Sequence, residues 1–191
     1  MNKRTGFILI PILIVLGLVL INTNYFWNKL NPIFYGDILN KYAAEYKIDP
    51  LLIAAIIKVE SKFWTHAQSP VGAIGLMQIM PETGREVARK LKLSNFRDHD
   101  LYVPEINIRI GCFYLAEIRK ECGADQVAML ASYNAGKNIV KTWKSTSPQL
   151  EINQIPYKET RNFVIQVQQT YKRLKLVQKI KKMITFRWAG Y

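Results

Sequence analysis

The sequence predicts a mainly α-helical protein with at most a short β element, preceded by one transmembrane helix. Three observations carry this. Proline stands at 50, 81 and 104, each time heading a stretch that reads as helix. Glycine stands at 123 and 136, where such stretches stop. Residues 6–21, GFILIPILIVLGLVLI, contain no charged or polar side chain.

The apolar run comes first in the chain. Its sixteen residues make about 24 Å of helix, short of the roughly 30 Å hydrocarbon core of a bilayer. Tyr25, Phe26 and Trp27 extend it as an interfacial belt. A cleaved signal peptide is the competing reading, but NTNYFWN offers no small-residue cleavage site. The expectation is an uncleaved anchor over 6–22. Lys3 and Arg4 hold residues 1–5 in the cytoplasm, and everything after the anchor lies outside. Residues 23–36 form a juxtamembrane linker, 37–178 one globular domain, and 179–191 a basic amphipathic tail.

With 27 Lys+Arg against 14 Asp+Glu in 191 residues, the net charge is +13. That balance implies an anionic partner: nucleic acid, a membrane surface or an anionic polymer. An extracytoplasmic location argues against nucleic acid. The tail interleaves Lys and Arg with apolar residues, so it can lie on an anionic surface or be the solvated end of the last helix.

The globular part opens with a helix from Gly36-Asp37 to about Tyr46. PLLIAAIIKVE follows, with proline in the first turn, where its missing N–H costs nothing. Residues 65–80 are loop, with one strand candidate at 74–79. A helix starts at Pro81. Residues 94–103 connect to a long helix from Pro104 to about Glu121. Both cysteines, Cys112 and Cys122, lie on that stretch. Ten helical residues rise about 15 Å, beyond the roughly 7 Å limit for a disulfide, so both are read as thiols. Asp125 caps a helix through Tyr133, a short helix carries Ile139, Val140 and Trp143, and residues 145–156 are loop. The last helix runs from about Tyr157 towards Met183, with Phe163, Val167, Tyr171, Leu174, Val177 and Ile180 at 3–4 spacing.

Chemistry points to Glu60. It shares a helical face with Ile53, Ile56 and Ile57, the face expected to be buried. Burial disfavours its ionised form, and so does the negative end of the helix dipole. Both favour a protonated carboxyl, as a general acid requires. The alternative is a surface pair with Lys58 or Lys62. Gly72 and Gly75 either let a ligand approach the backbone or simply make a turn. Gln78 adds an amide, Ser69 a hydroxyl, and Met77 and Met80 soft apolar surface. His66 and His99 stand apart in polar loops, and no metal site is expected.

Glu60-Ser61, SPVGAIGLMQIMP at 69–81, DLYVPEINIRIGCFYL at 100–115, ASYNAG at 131–136 and YKETRNFV at 157–164 occur in this order. The set resembles the soluble lytic transglycosylases, peptidoglycan-cleaving enzymes with a goose-type-lysozyme-like domain. The resemblance covers about residues 37–170. The family usually has AYNAG where this chain has SYNAG, and often tyrosine where it has Phe163.

The resemblance implies a lysozyme-like catalytic domain with Glu60 as the acid/base. It implies that Ser69 and Gln78 contact the sugar near the scissile bond and that Met80 is an apolar contact. Tyr133 and Asn134 would form the groove wall, with Glu159 facing the same groove. Tyr133 also reads as a core tyrosine, and Glu159 as half of a structural salt bridge to Arg161. Asn107, Gly111 and Tyr114 match scaffold positions. The implied reaction cleaves the bond between N-acetylmuramic acid and N-acetylglucosamine and leaves 1,6-anhydro ends, with no cofactor. The implied partner is the peptidoglycan glycan strand, met on the wall side of the cell membrane. A muramidase using water on the same bond, or an anchored glycan-binding protein with a retired site, are the alternatives.

Overall fold

The computed structural model describes residue 17, residues 35–143 and residues 149–188, without the side chains of 185–188. Apart from residue 17, the expected anchor, its cytoplasmic end and most of the linker lie outside the described residues. Among those described, no helix is long and apolar enough to cross a membrane.

The fold is mainly helical. Helices α1 (Gly36–Tyr46), α2 (Pro50–Glu60), α3 (Pro81–Lys90) and α4 (Pro104–Cys122) precede α5 (Gln126–Ala135), α6 (Lys137–Trp143) and α7 (Lys158–Trp188). Two short 3-10 turns, Asp98–Tyr102 and Ile152–Gln154, lie in the stretches read as connector and loop. Residues 35–172 form one compact unit, and α7 continues from Arg173 into a second.

Local chemistry explains the helix boundaries. Pro50, Pro81 and Pro104 each start a helix, where the ring fixes φ and no N–H is missed. The Asp49 carboxylate accepts from Leu51 N–H at 2.8 Å and caps α2. Asp125 does the same for α5 through Ala128 N–H, and its second oxygen accepts from Leu150 N–H, so one carboxylate also holds the returning chain. Arg119 donates to the carbonyls at the C-terminal end of α1, those of Tyr46 and of the cap residue Lys47.

Helix α2 is the centre of the core. Residues Leu51 to Ile57 are all buried, so the helix has no single apolar face. This corrects the stripe expected from Ile53, Ile56 and Ile57: the neighbours close around the helix on every side. Glu60 is therefore placed by the end of the helix, not by one of its faces. Helix α4 packs against α1, α3 and α5, and both its cysteines are free thiols, Cys112 buried. Along α7, Phe163, Val167 and Leu174 are buried, whereas Tyr171, Val177 and Ile180 are partly exposed.

The strand expected at 74–79 does not form. Two isolated antiparallel bridges stand there, Gln68 with Ile74 and Ile74 with Ile79. Gly72, Gly75 and Gln78 have φ of 88°, 77° and 47°. These left-handed residues turn the chain before any extended run can build up a ladder.

Candidate active site

A cleft of about 370 Å³ opens over the C-terminal end of α2. Glu60, the last residue of α2, lines it. Among the described residues its carboxyl has no hydrogen bond and no ion pair. Lys58 and Lys62 are exposed and leave it unpaired. Burial pushes its pKa up, and the charge of Glu159 pushes it further, to about 8. A carboxyl so placed keeps its proton at neutral pH.

The residue after the acid fixes its position. The buried Ser61 hydroxyl lies 2.8 Å from Leu76 O and 3.2 Å from Ile57 O, tying the end of α2 to the glycine-bearing loop. That loop is held in turn by one buried amide. Asn107, on α4, donates to Ile74 O at 2.9 Å and Leu101 O at 2.8 Å, and accepts from Met77 N–H at 2.8 Å. Gly75 makes room for it: a Cβ there would stand 2.4 Å from the Asn107 amide nitrogen and 2.3 Å from Leu101 O. The close approach that Gly75 permits is to the protein's own scaffold, not to a ligand. Gly72 has open space around its Cα, and its positive φ completes a turn closed by its N–H on Ser69 O.

The other expected site residues converge on this cleft. Ser69 and Gln78 line one wall. The Ser69 hydroxyl accepts from Ala73 N–H at 2.9 Å, which leaves its own proton to donate. The Gln78 amide nitrogen donates to the Gly75 and Ala67 carbonyls at 2.9 and 3.2 Å. Both partners are acceptors, so the nitrogen faces the loop and the amide oxygen is left for the cleft. Met80 lines the cleft with 42% of its surface exposed. Met77 does not: it is fully buried, in the gap left by Gly111.

Tyr133 serves both readings. Its ring lines the cleft and stacks on Phe163 at 6.2 Å, while its hydroxyl donates to Met77 O at 2.7 Å. Asn134 is beside it, its oxygen accepting from the buried Thr160 hydroxyl at 2.7 Å, so its amide protons remain available. Glu159, exposed in the first turn of α7, faces the cleft and makes no ion pair among the described residues. The expected bridge to Arg161 is absent, and the Arg161 Nε is buried without a partner.

This arrangement can deliver a proton to a bond laid across the cleft and take one back. The model of the transglycosylase SLT domain matches residues 37–156. The chain belongs to this family. The soluble lytic murein transglycosylase of Salmonella typhimurium is 34% identical over 147 residues, covering 72% of this chain and 23% of that protein. The membrane-bound lytic murein transglycosylase E of Buchnera aphidicola is 50% identical over 86 residues, 44% of this chain and 41% of the relative. Among solved structures, an inactive glutamate-to-glutamine variant of lytic transglycosylase Slt from Pseudomonas aeruginosa superimposes with a TM-score of 0.68. It is 35% identical and covers 73% of this chain and 23% of that one. This chain thus spans about a quarter of the length of the soluble relatives it matches.

Further residues of the SLT domain also line the cleft, Val71, Thr83 and Tyr114 among them. Tyr114 matches a scaffold position in the family resemblance, and the structure places it in the cleft lining. Its helical phase relative to Asn107, seven residues and about two turns earlier, puts both on the same face of α4. Val71 and Thr83 carry no distinctive signal in the sequence.

Proposed function

We propose that this chain is a peptidoglycan lytic transglycosylase, cleaving the β-1,4 bond between N-acetylmuramic acid and N-acetylglucosamine. The observation that carries the reading is the Glu60 carboxyl, unpaired and held protonated in a glycan-sized cleft. Glu60 donates its proton to the glycosidic oxygen as the bond breaks. The substrate's acetamido group stabilises the positive charge that develops at C1. The ionised Glu60 then takes the proton of the muramyl 6-hydroxyl, whose oxygen attacks C1 and closes the 1,6-anhydro ring. No water is consumed, and the carboxyl ends in the state in which it began.

The surrounding groups suit this work. Ser69 donates to the sugar, the Gln78 oxygen accepts from it, and the Asn134 amide donates from the opposite wall. Met80 supplies apolar contact, and the Tyr133 ring closes the floor. Glu159 keeps the proton on Glu60 until it is needed. The same activity is named for the relatives, and one of them is inactive as a glutamate-to-glutamine variant.

A muramidase is the second reading, and Glu159 is the observation that favours it: a second carboxylate in the cleft is what activation of water would use. Products separate the two. Mass spectrometry of fragments released from purified peptidoglycan should find 1,6-anhydromuramyl ends; reducing muramyl ends would establish hydrolysis instead. A retired glycan binder would release neither.

We further place this domain, 37–178, on the outer side of the cell membrane, held by residues 6–22, with 179–191 as a basic tail on an anionic surface. Membrane-bound names among the relatives support the location. Retention in membranes through a high-salt wash is expected; a mature N-terminus near residue 24 would refute the anchor.

A further inference from the structure

The turn that follows the acid carries aromatic and apolar surface that the scheme above does not use. Residues 61–67 make two successive turns, closed by Trp64 N–H on Ser61 O at 2.9 Å and by Ala67 N–H on Trp64 O at 3.2 Å. Lys62 and Phe63 have φ of 53° and 67°, two non-glycine residues in succession in the left-handed region. That conformation is uncommon and strained for side chains of this size. What the strained turn presents is Trp64, 64% exposed. Lys62 beside it is exposed and makes no ion pair among the described residues. Two residues on, His66 stacks on Tyr102 at a centroid distance of 5.8 Å. Val103 follows Tyr102 as the residue that precedes α4, and it is 44% exposed.

The same end of the domain receives the chain from the N-terminal apolar run. Contacts between α1 and α4 advance in one direction along both helices. Lys41 and Tyr42 bond Glu105, Tyr46 meets Phe113 at a ring distance of 5.8 Å, and the Lys47 carbonyl accepts from Arg119. The two helices therefore run parallel, and α1 starts at the end of the domain where α4 starts, the end that carries Tyr102 and Val103. Residues 23–34 are all that separates this start from the anchor proposed over residues 6–22. These twelve residues span at most about 40 Å even when fully extended.

We propose that the surface formed by Lys62, Trp64, Tyr102 and Val103 seats the domain on the anionic lipid surface of the membrane that holds its anchor. The proposal rests on the anchor reading above. An exposed tryptophan suits the headgroup region, because its ring is apolar and its N–H still finds an acceptor there. Val103 adds apolar area, and the Lys62 ammonium meets lipid phosphates. The short tether keeps this end of the domain near the bilayer, so weak contacts are enough to hold it there. The seating also has a consequence for the cleft. On the outer side of the wall the Tyr102 hydroxyl donates to Gln68, and on the inner side the Gln78 amide donates to the carbonyl of Ala67, the residue before it. One stretch of chain thus has the bilayer on one side and the cleft on the other, and glycan strands lying close to the membrane are the ones it reaches.

The test uses the full chain reconstituted into vesicles of phosphatidylcholine and phosphatidylglycerol. Trp27, Trp143 and Trp188 are replaced by phenylalanine, so that Trp64 is the one tryptophan left. Thermal melting in detergent reports whether this chain folds; if it does not, the difference in emission between wild type and Trp64→Phe gives the same reading. Flotation in high salt reads the anchor. Lipids brominated just below the headgroup read Trp64, and they are expected to quench most of its emission. Val103→Asp and Lys62→Glu should each relieve that quenching several-fold while flotation stays complete. Trp64→Phe in detergent should cleave soluble strands at the wild-type rate, because the surface is not part of the cleft. A chain that floats with Trp64 unquenched would overturn the proposal and leave the anchor standing. Emission that responds to soluble glycan strands but not to brominated lipid would also overturn it and give the surface to the wall polymer. A chain that does not float would refute the anchor, and the proposal would fall with it.

Discussion

The two walls that flank Glu60 are built in opposite ways. One is irregular chain, residues 67–80, whose backbone pairs with itself only through isolated bridges and tight turns. It is nevertheless fixed from within by Asn107, by Ser61 and by the Gln78 amide. The other is made of regular helix ends, the end of α5 at Asn134 and the start of α7 at Glu159. Among the described residues, one side-chain hydrogen bond, Thr160 to Asn134, joins them. Rigidity in this molecule therefore does not follow secondary structure. Where the irregular backbone leaves groups unpaired, buried side chains, Asn107 foremost, do the pairing. The irregular wall sets where the acid stands, and the helical wall adjusts how tightly it holds its proton.

The comparison breaks most visibly at Asn107. Asn107→Ala leaves the Met77 N–H and the Leu101 carbonyl buried without partners and takes one bond from Ile74. Each orphaned group costs about 1–3 kcal/mol, so a loss of about 3 kcal/mol is expected in urea denaturation, with turnover falling alongside it as the Ser61–Leu76 tie slackens. Loss of stability with undiminished turnover at low temperature would mean that the loop does not position the acid.

A smaller effect is expected at the helical wall. Glu159 raises the Glu60 pKa, though less than burial does. Glu159→Gln removes that charge, so the Glu60 pKa falls from about 8 while remaining above its ordinary value. A general acid works only while protonated, so the alkaline limb of the rate profile should shift to lower pH, with the rate on the acid side nearly unchanged. A uniform loss at every pH would instead make Glu159 a participant in the chemistry, as the muramidase reading requires.

What could be read from the sequence divides along the same line. Helix starts at Pro50, Pro81 and Pro104 were legible because a proline acts on its own turn. Glu60, Ser69, Gln78, Met80, Tyr133, Asn134 and Glu159 were legible as a set, because their motifs stand in a recognisable order, and the fold brings all seven to one cleft. The reason given for the burial of Glu60 was wrong in part, since α2 is apolar on every side and offers no stripe to follow. Asn107 was legible as scaffold through the resemblance, but its partners, up to 33 residues away, were not. Gly75 was ambiguous between ligand and scaffold until the atoms opposite its missing Cβ were known. Tyr114 matched a scaffold position in the resemblance, and nothing local marks which helix residues face a cleft.

The central claim is that the irregular wall holds a protonated Glu60 ready to act. Glu60→Gln keeps size and polarity but has no acidic proton. Its stability relative to wild type also carries a sign. The native carboxyl titrates near 8 and an ordinary one at 4.5, so the unfolded state releases its proton first as pH rises. Wild type thus loses stability between those values, and the glutamine variant does not, so its advantage should grow from pH 4.5 to about 8 and then level off. The most direct measurement is the release of anhydro-ended fragments by the folded Glu60→Gln protein at neutral pH. A fall of at least about 10³, in the upper part of the range for loss of a general acid, with binding to peptidoglycan retained, is the predicted result. Turnover at a tenth of wild type or more would contradict the account, and the proton would have to come from elsewhere in the cleft.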